Sequence, residues 1–179
     1  MDTAGRTIKL KDICQALEVR DRYARYVLER GFIPEGVTHS PGSGEHRDFG
    51  SHQAFWLGLV LKLKESGLKT PLAVQVANYA DGAVRTAAQN LGWDYPFFPM
   101  GGRFETEHQY FVEVGDFQYI RLVTDACPSQ DVSYVFDWHH INKPGVPVKG
   151  VRPCVMLRLD VAQIAVRIGA AFRSISDAC

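Results

Sequence analysis

The sequence predicts an α+β fold in three parts: a winged helix-turn-helix over residues 1–70, a linking helix over 71–91, and a small α+β C-terminal domain over 92–179. Three observations carry this reading. Two short runs with apolar residues at helical spacing meet at a break at Glu18-Val19, the pattern of two helices across a tight turn. Pro41-Gly42-Ser43-Gly44 is a strong turn signal between short segments able to pair as a hairpin. After Leu91 the helical spacing gives way to β-like runs.

The elements follow in order. Ile8-Lys9-Leu10 reads as an extended lead-in and Asp12–Leu17 as a first helix. A second helix runs from about Asp21 to Arg30, stopped by Gly31 and kept from restarting by Pro34. Ser51 fits the N-cap of a third helix reaching about Ser66, ended by Gly67. Its Trp56 is expected in one core with the first two helices. Thr70-Pro71 starts the linking helix, whose stripe Leu72, Val76, Tyr79, Ala80, Ala83, Ala87, Leu91 continues past Gly82. Tyr110–Val114 and Phe117–Val123 read as strands around a Gly115-Asp116 turn, and Val132–Trp138 as another strand. Residues 142–153 read as a Pro/Gly loop and Cys154–Leu159 as a strand. Asp160 caps a final helix to about Ser174.

Bulk properties exclude more than they select. The chain is 46% hydrophobic with a net charge of zero, an ordinary globular composition with no overall pull toward polyanions. Residues 1–70 hold 11 Lys/Arg against 9 Asp/Glu, and residues 93–179 hold 8 against 10. Only local clustering therefore argues for nucleic acid. No apolar run is long enough for a membrane span, and the N-terminal residues lack a signal-peptide core, so a cytoplasmic protein is expected. The four cysteines, Cys14, Cys127, Cys154 and Cys179, are widely spaced and read as free thiols.

The N-terminal part resembles the MerR-type winged-helix family of bacterial DNA-binding regulators over roughly residues 8–75. IKLKDICQALEV resembles the family's opening helix. VRDRYARYVLERGFIP is similar to its recognition helix, with Arg25 and Tyr26 on the Arg-Tyr core and Gly31-Phe32-Ile33-Pro34 on its ending. HRDF places Arg47 on the wing arginine, and LKLKESGLKTP is similar to the junction of the second helix pair. There are departures. Glu18 stands where the family usually has a turn glycine, Val27 replaces the second tyrosine, and Tyr23 replaces a small hydroxyl residue. The resemblance implies a transcriptional regulator of bacterial or phage type that binds double-stranded DNA.

Helical geometry gives the arginines separate tasks. Residues three or four apart share a face, so Arg22, Arg25 and Tyr26 cluster while Ala24, Val27 and Leu28 supply the packed side. A recognition helix offers its first turns to base edges in the major groove. Arg20, Arg22 and Tyr23 are therefore the candidates for base reading, and Arg25, Tyr26 and Arg47 for phosphates. Taken alone, such a helix is a solvated surface whose arginines pair with Asp21 and Glu29. The neighbouring helix and the turn favour DNA. Lys62 and Lys64 read as solvated lysines.

Other chemistry finds little footing. No phosphate-binding glycine loop, nucleophile elbow or HExxH motif is present, so no enzyme is expected. Cys127, His139, His140 and Cys154 are the candidate ligands in the second half, but they lack paired spacing, and neither metal nor cofactor is expected. The aromatic residues from Trp93 to Trp138 read as a small core, or else as the lining of an effector pocket for a small molecule. The linking-helix stripe offers a homodimer contact that would set two recognition helices on pseudo-palindromic DNA. The rival to a DNA-binding regulator is an assembly protein that uses the winged helix as a protein-docking scaffold.

Overall fold

The structure, a computed structural model, describes residues 7–37, 47–91, 109–125, 133–135 and 137–176. It is a mixed α+β fold. The described elements are β1 (Ile8–Lys9), α1 (Leu10–Leu17), α2 (Asp21–Glu29), β2 (Asp48–Phe49), α3 (Ser51–Glu65), α4 (Thr70–Leu91), β3 (Gln109–Gly115), β4 (Tyr119–Asp125), β5 (Ser133–Val135), β6 (Trp138–His140), β7 (Lys143–Val148), β8 (Met156–Asp160) and α5 (Val161–Ser176). The turn at Pro41–Gly44 lies outside the described residues, as do Trp93, Tyr95, Phe97, Phe98, Phe104 and Cys127.

Three helices end alike. After α1, α2 and α3 a residue with positive φ turns the chain, and the two N–H groups at the turn bond back to the last carbonyls. Gly31 and Gly67 do this at φ 81° and 96°, as their positions in the sequence predict. Glu18 does it at φ 56°, ψ 35°, with Val19 N–H donating to Cys14 O at 2.9 Å and Glu18 N–H to Gln15 O at 3.2 Å. A glutamate thus keeps a geometry that glycine adopts without strain.

Other starts and stops follow local chemistry, with corrections. Asp160 caps α5 as expected, its Oδ1 accepting the Gln163 N–H at 2.9 Å. The N-cap of α3 is Gly50 and not Ser51, which is the first helical residue. Gln53 Oε1 reaches back to the Gly50 N–H at 2.7 Å. Residues 142–153 are not one loop, because Lys143–Val148 forms β7 on β6. Its prolines are tolerated because β7 ends the strand order, and the outer N–H groups of an edge strand need no ladder partner. The strand expected over Val132–Trp138 is two strands, β5 and β6, each paired to a different stretch of β4.

All described pairings are antiparallel. The larger sheet runs β7-β6-β4-β3-β8, with β5 also on β4. One face of the β3–β4 pair, Tyr110, Val112, Val114, Ile120 and Leu122, is buried, and α4 and α5 pack against these strands. Asp116 closes the β3–β4 turn at φ 48° and locks it to the lead into β8, its Oδ1 accepting the Cys154 and Val155 N–H groups at 3.0 and 2.9 Å. The small sheet joins distant segments: β1 pairs with β2 through Ile8 opposite Phe49, both buried.

Among the described residues one apolar core draws on both halves of the chain. It contains Ile13 and Leu17 of α1, Leu57, Leu61 and Leu63 of α3, Val76 and Ala80 of α4, the inner sheet residues, and Ile164 and Ile168 of α5. The meeting point is Gly58. A Cβ there would stand 2.9 Å from Leu17 Cδ1, 3.3 Å from Ile164 Cγ2 and 3.7 Å from Ile168 Cδ1. The missing side chain lets α1 and α5 close on α3, which offsets the usual cost of glycine inside a helix. Trp56, expected in this core, is only half-buried, with its indole N–H donated to Asn78 Oδ1 at 2.6 Å.

Two substitutions test this packing. Glu18→Gly relieves a left-handed strain of about 1–2 kcal/mol, set against glycine's entropy and the exposed Arg167–Glu18 ion pair at 3.4 Å. The net expectation is a gain of about 0.5–1 kcal/mol in urea denaturation, and a loss would contradict the strain assignment. Gly58→Leu has no room and should lower stability by about 3 kcal/mol or prevent folding. A stability unchanged from the parent would show that the three helices do not meet there.

Candidate nucleic-acid interface

α2 is short and strongly two-sided. It opens at Arg20, whose backbone is extended at φ −67°, ψ 126°, immediately after the buried Val19. Ala24, Val27 and Leu28 are its buried residues and seat it on the core. At 100° per residue these three lie on one side. Arg22, Tyr26 and Glu29 lie on the opposite, outward line. Asp21 and Arg25 flank that line on one edge, and Tyr23 and Arg30 on the other. Arg20, Arg22, Tyr23, Arg25, Tyr26 and Arg30 are all exposed.

The cations on this surface differ in how they are held. Arg25 is engaged: its Nη2 and Nε lie 2.8 and 2.9 Å from Asp21 Oδ2. Both side chains are open to water, at 67% and 46% exposure, so the pair contributes only about 0.3–0.5 kcal/mol and can be exchanged for another anion. Arg20 and Arg22 form no ion pair among the described residues. Arg47 is half-buried beside β2, and His46 lies outside the described residues. Glu29 adds a carboxylate to the outward line, so the surface is not uniformly basic.

The tyrosines show what the sequence did not. Tyr23 and Tyr26 are 37% and 42% exposed. Lys64 of α3 sits over both, its Nζ 4.8 Å from the Tyr26 ring centre and 6.0 Å from that of Tyr23. Arg30 lies 5.1 Å from the Tyr26 centre on its own helix. Lys64 also donates to Thr70 Oγ1 at 3.1 Å, which ties the start of α4 to the tyrosines. Lys64 is therefore not the solvated lysine its sequence position suggests. Its partners lie some forty residues upstream, and no local pattern marks such a contact. Lys62 pairs with Glu65 at 2.5 Å.

His139 and His140, neighbours on β6, take opposite faces: His139 meets Tyr79 of α4 and His140 meets Tyr119, each with ring centres 5.7 Å apart. Among the described residues no three His, Cys, Asp or Glu side chains gather in a metal-binding group. Of the described aromatic residues, Tyr110 lies in the core and Trp138 lies under the Arg121 guanidinium at 4.4 Å. No described helix is long and apolar enough to cross a membrane.

The chain matches no protein-family model, and no curated protein matches it significantly.

Cys14 packs beneath the start of α2. Burial, with a smaller push from the Asp21 carboxylate, raises its thiol to about 11, against 9.0 for a free one. A raised acid holds its proton in the folded state while the unfolded chain releases it, so stability is kept below pH 9 and lost as pH rises from 9 to 11. Tyr79 and Tyr110, raised to about 12 by burial, extend that loss upward from pH 10. Cys14→Ala should lose less stability between pH 8 and 10.5 than the parent. Equal losses would remove Cys14 as a contributor.

Proposed function

We propose that this chain is a sequence-specific double-stranded-DNA-binding protein, a transcriptional regulator of bacterial or phage type, with α2 as the helix that enters the major groove. The supporting observation is the α2 surface itself. Arg20, Arg22, Tyr23, Arg25, Tyr26 and Arg30 are exposed on one short helix, anchored by three apolar residues and joined by Lys64. The resemblance of residues 8–75 to the MerR-type family supports the same reading.

The division of labour follows from position. Arg22 and Tyr23 lie in the first turn, where side chains reach base edges, and the planar guanidinium of Arg22 matches the two acceptors of guanine. Arg25 exchanges Asp21 for a phosphate, and Tyr26 and Arg47 add phosphate contacts. Lys64 positions the two tyrosine rings. On pseudo-palindromic DNA two copies would bind. Their contact would use a surface other than the α4 stripe at Val76 and Ala80, which α3 and the sheet already bury.

The docking-scaffold reading draws support from Asp21 and Glu29, which place carboxylates among the cations and would repel phosphate. Selection of bound sequences from random DNA, followed by affinities of single-base variants, separates the two. Arg22→Ala should lose about 1–3 kcal/mol of discrimination at one or two base pairs and keep most non-specific binding. Arg25→Ala should weaken all sequences alike and reduce the salt slope of log affinity by about one unit. A folded chain that enriches no sequence and binds DNA without salt dependence would favour the scaffold.

A further inference from the structure

The larger sheet ends in two unlike edges. β7, at one end of the strand order, carries Pro144 and Pro147, and its register on β6 is broken between His139 and His140. Prolines and bulges of this kind keep a further strand from adding to an edge. β8, at the other end, has neither. Its five residues, Met156 to Asp160, hold no proline or glycine and pair with β3 in unbroken register. Among the described residues no strand lies on its outer side.

The backbone turns outward at the first residue of β8. Val155 directs both main-chain groups at the β3–β4 turn, its N–H donating to Asp116 Oδ1 and its C=O accepting the Asp116 N–H, each at 2.9 Å. Successive residues of a strand turn these groups to opposite sides, so the N–H and C=O of Met156 point away from β3. The side chains here are apolar and open to water. Val155 is 53% and Met156 54% exposed, and Phe117 of the adjacent turn is 51% exposed. Outward main-chain groups beside exposed apolar side chains are what an added strand binds.

The segment is complementary to itself. In an antiparallel pairing centred on Met156, each Met156 exchanges both main-chain hydrogen bonds with the other, and Val155 of each copy lies opposite Leu157 of the other. The direct pairs nearest the axis are then all apolar. Arg158 comes opposite Cys154, so the cations of the two copies stay apart. A register centred on Arg158 would instead set like charges face to face, a destabilising pair. A two-fold axis uses the same patch on both copies and closes the assembly at two.

We propose that the β8 edge is a homodimer interface, joining the larger sheets of two copies into one continuous sheet across a two-fold axis at Met156. The pairing stands whether or not α2 reads DNA. Where α2 does, this contact supplies the second copy that a pseudo-palindromic site calls for.

The test is analytical ultracentrifugation of the full chain without DNA, over about 1–300 μM, because a short edge makes a small interface of modest affinity. The parent should pass from monomer to dimer with a dissociation constant on the order of 10 μM. Met156→Pro removes the N–H at the axis and leaves the β3 ladder whole, because that N–H points outward and proline is accepted at the first residue of a strand. It should weaken the dimer at least about tenfold. Should that variant fail to fold, Met156→Lys keeps the N–H, sets two ammonium groups face to face and should weaken the dimer likewise. Val146→Lys on the β7 edge, where Val146 is 63% exposed, should leave association unchanged. A parent monomeric throughout the range, a dimer untouched in the folded Met156 variant, or a dimer lost in Val146→Lys would each overturn the assignment. Selection of bound DNA is read separately, so a monomer that enriches a sequence would contradict this interface and leave the α2 reading standing.

Discussion

The approach of three helices at Gly58 is the constraint on which the remaining structure depends. α3 offers a bare backbone at its midpoint, and α1 and α5 close on it through Leu17, Ile164 and Ile168. Each of those side chains is buried, and burying one such side chain contributes about 1.5–3 kcal/mol. The crossing also decides how the chain closes. α5 follows β8 directly, so seating α5 on the N-terminal helices brings the edge of the larger sheet with it. The two halves therefore share one core.

That arrangement explains why α2 is free to present polar residues. A nine-residue helix is too short to persist alone in water, so its stability comes from the surface it lies on. Ala24, Val27 and Leu28 meet that need, and the left-handed turns at Glu18 and Gly31 fix where the helix begins and ends. The outward residues are then clear of the core, with Tyr26 meeting Lys64 and Arg30 at the surface. Strain at Glu18 has its natural explanation here. The turn must be left-handed to direct α2, and the core holds it so although glutamate disfavours it. The exposed Glu18–Arg167 pair also links the turn to α5.

Features that depend on neighbours in sequence were legible. Gly31 and Gly67 stop helices because glycine alone takes positive φ without strain, and Asp160 caps α5 because its carboxylate reaches an N–H three residues on. The opposite faces of His139 and His140 follow from strand geometry. Features that depend on distant partners were not. The ladder between β1 and β2 joins segments about forty residues apart. β7 hides behind two prolines because only its edge position makes them harmless. Trp56 looks like core until its N–H finds Asn78 on the next helix. In the candidate site, the arginines of α2 were legible from their spacing. Lys64 was missed because its contact with Tyr23 and Tyr26 exists only once α3 lies beside α2.

A single core makes a definite statement about how the molecule opens. Native-state hydrogen exchange across a urea series measures it most directly, because each slowly exchanging amide reports its own opening free energy and the surface exposed. The slowest amides of α1, α3 and α5 should merge onto one opening free energy with one denaturant slope, equal to that of global unfolding. Amides of α1 and α3 that stay protected while those of α5 open at a lower free energy and a smaller slope would contradict the shared core, and would make the N-terminal helices a unit that stands on its own.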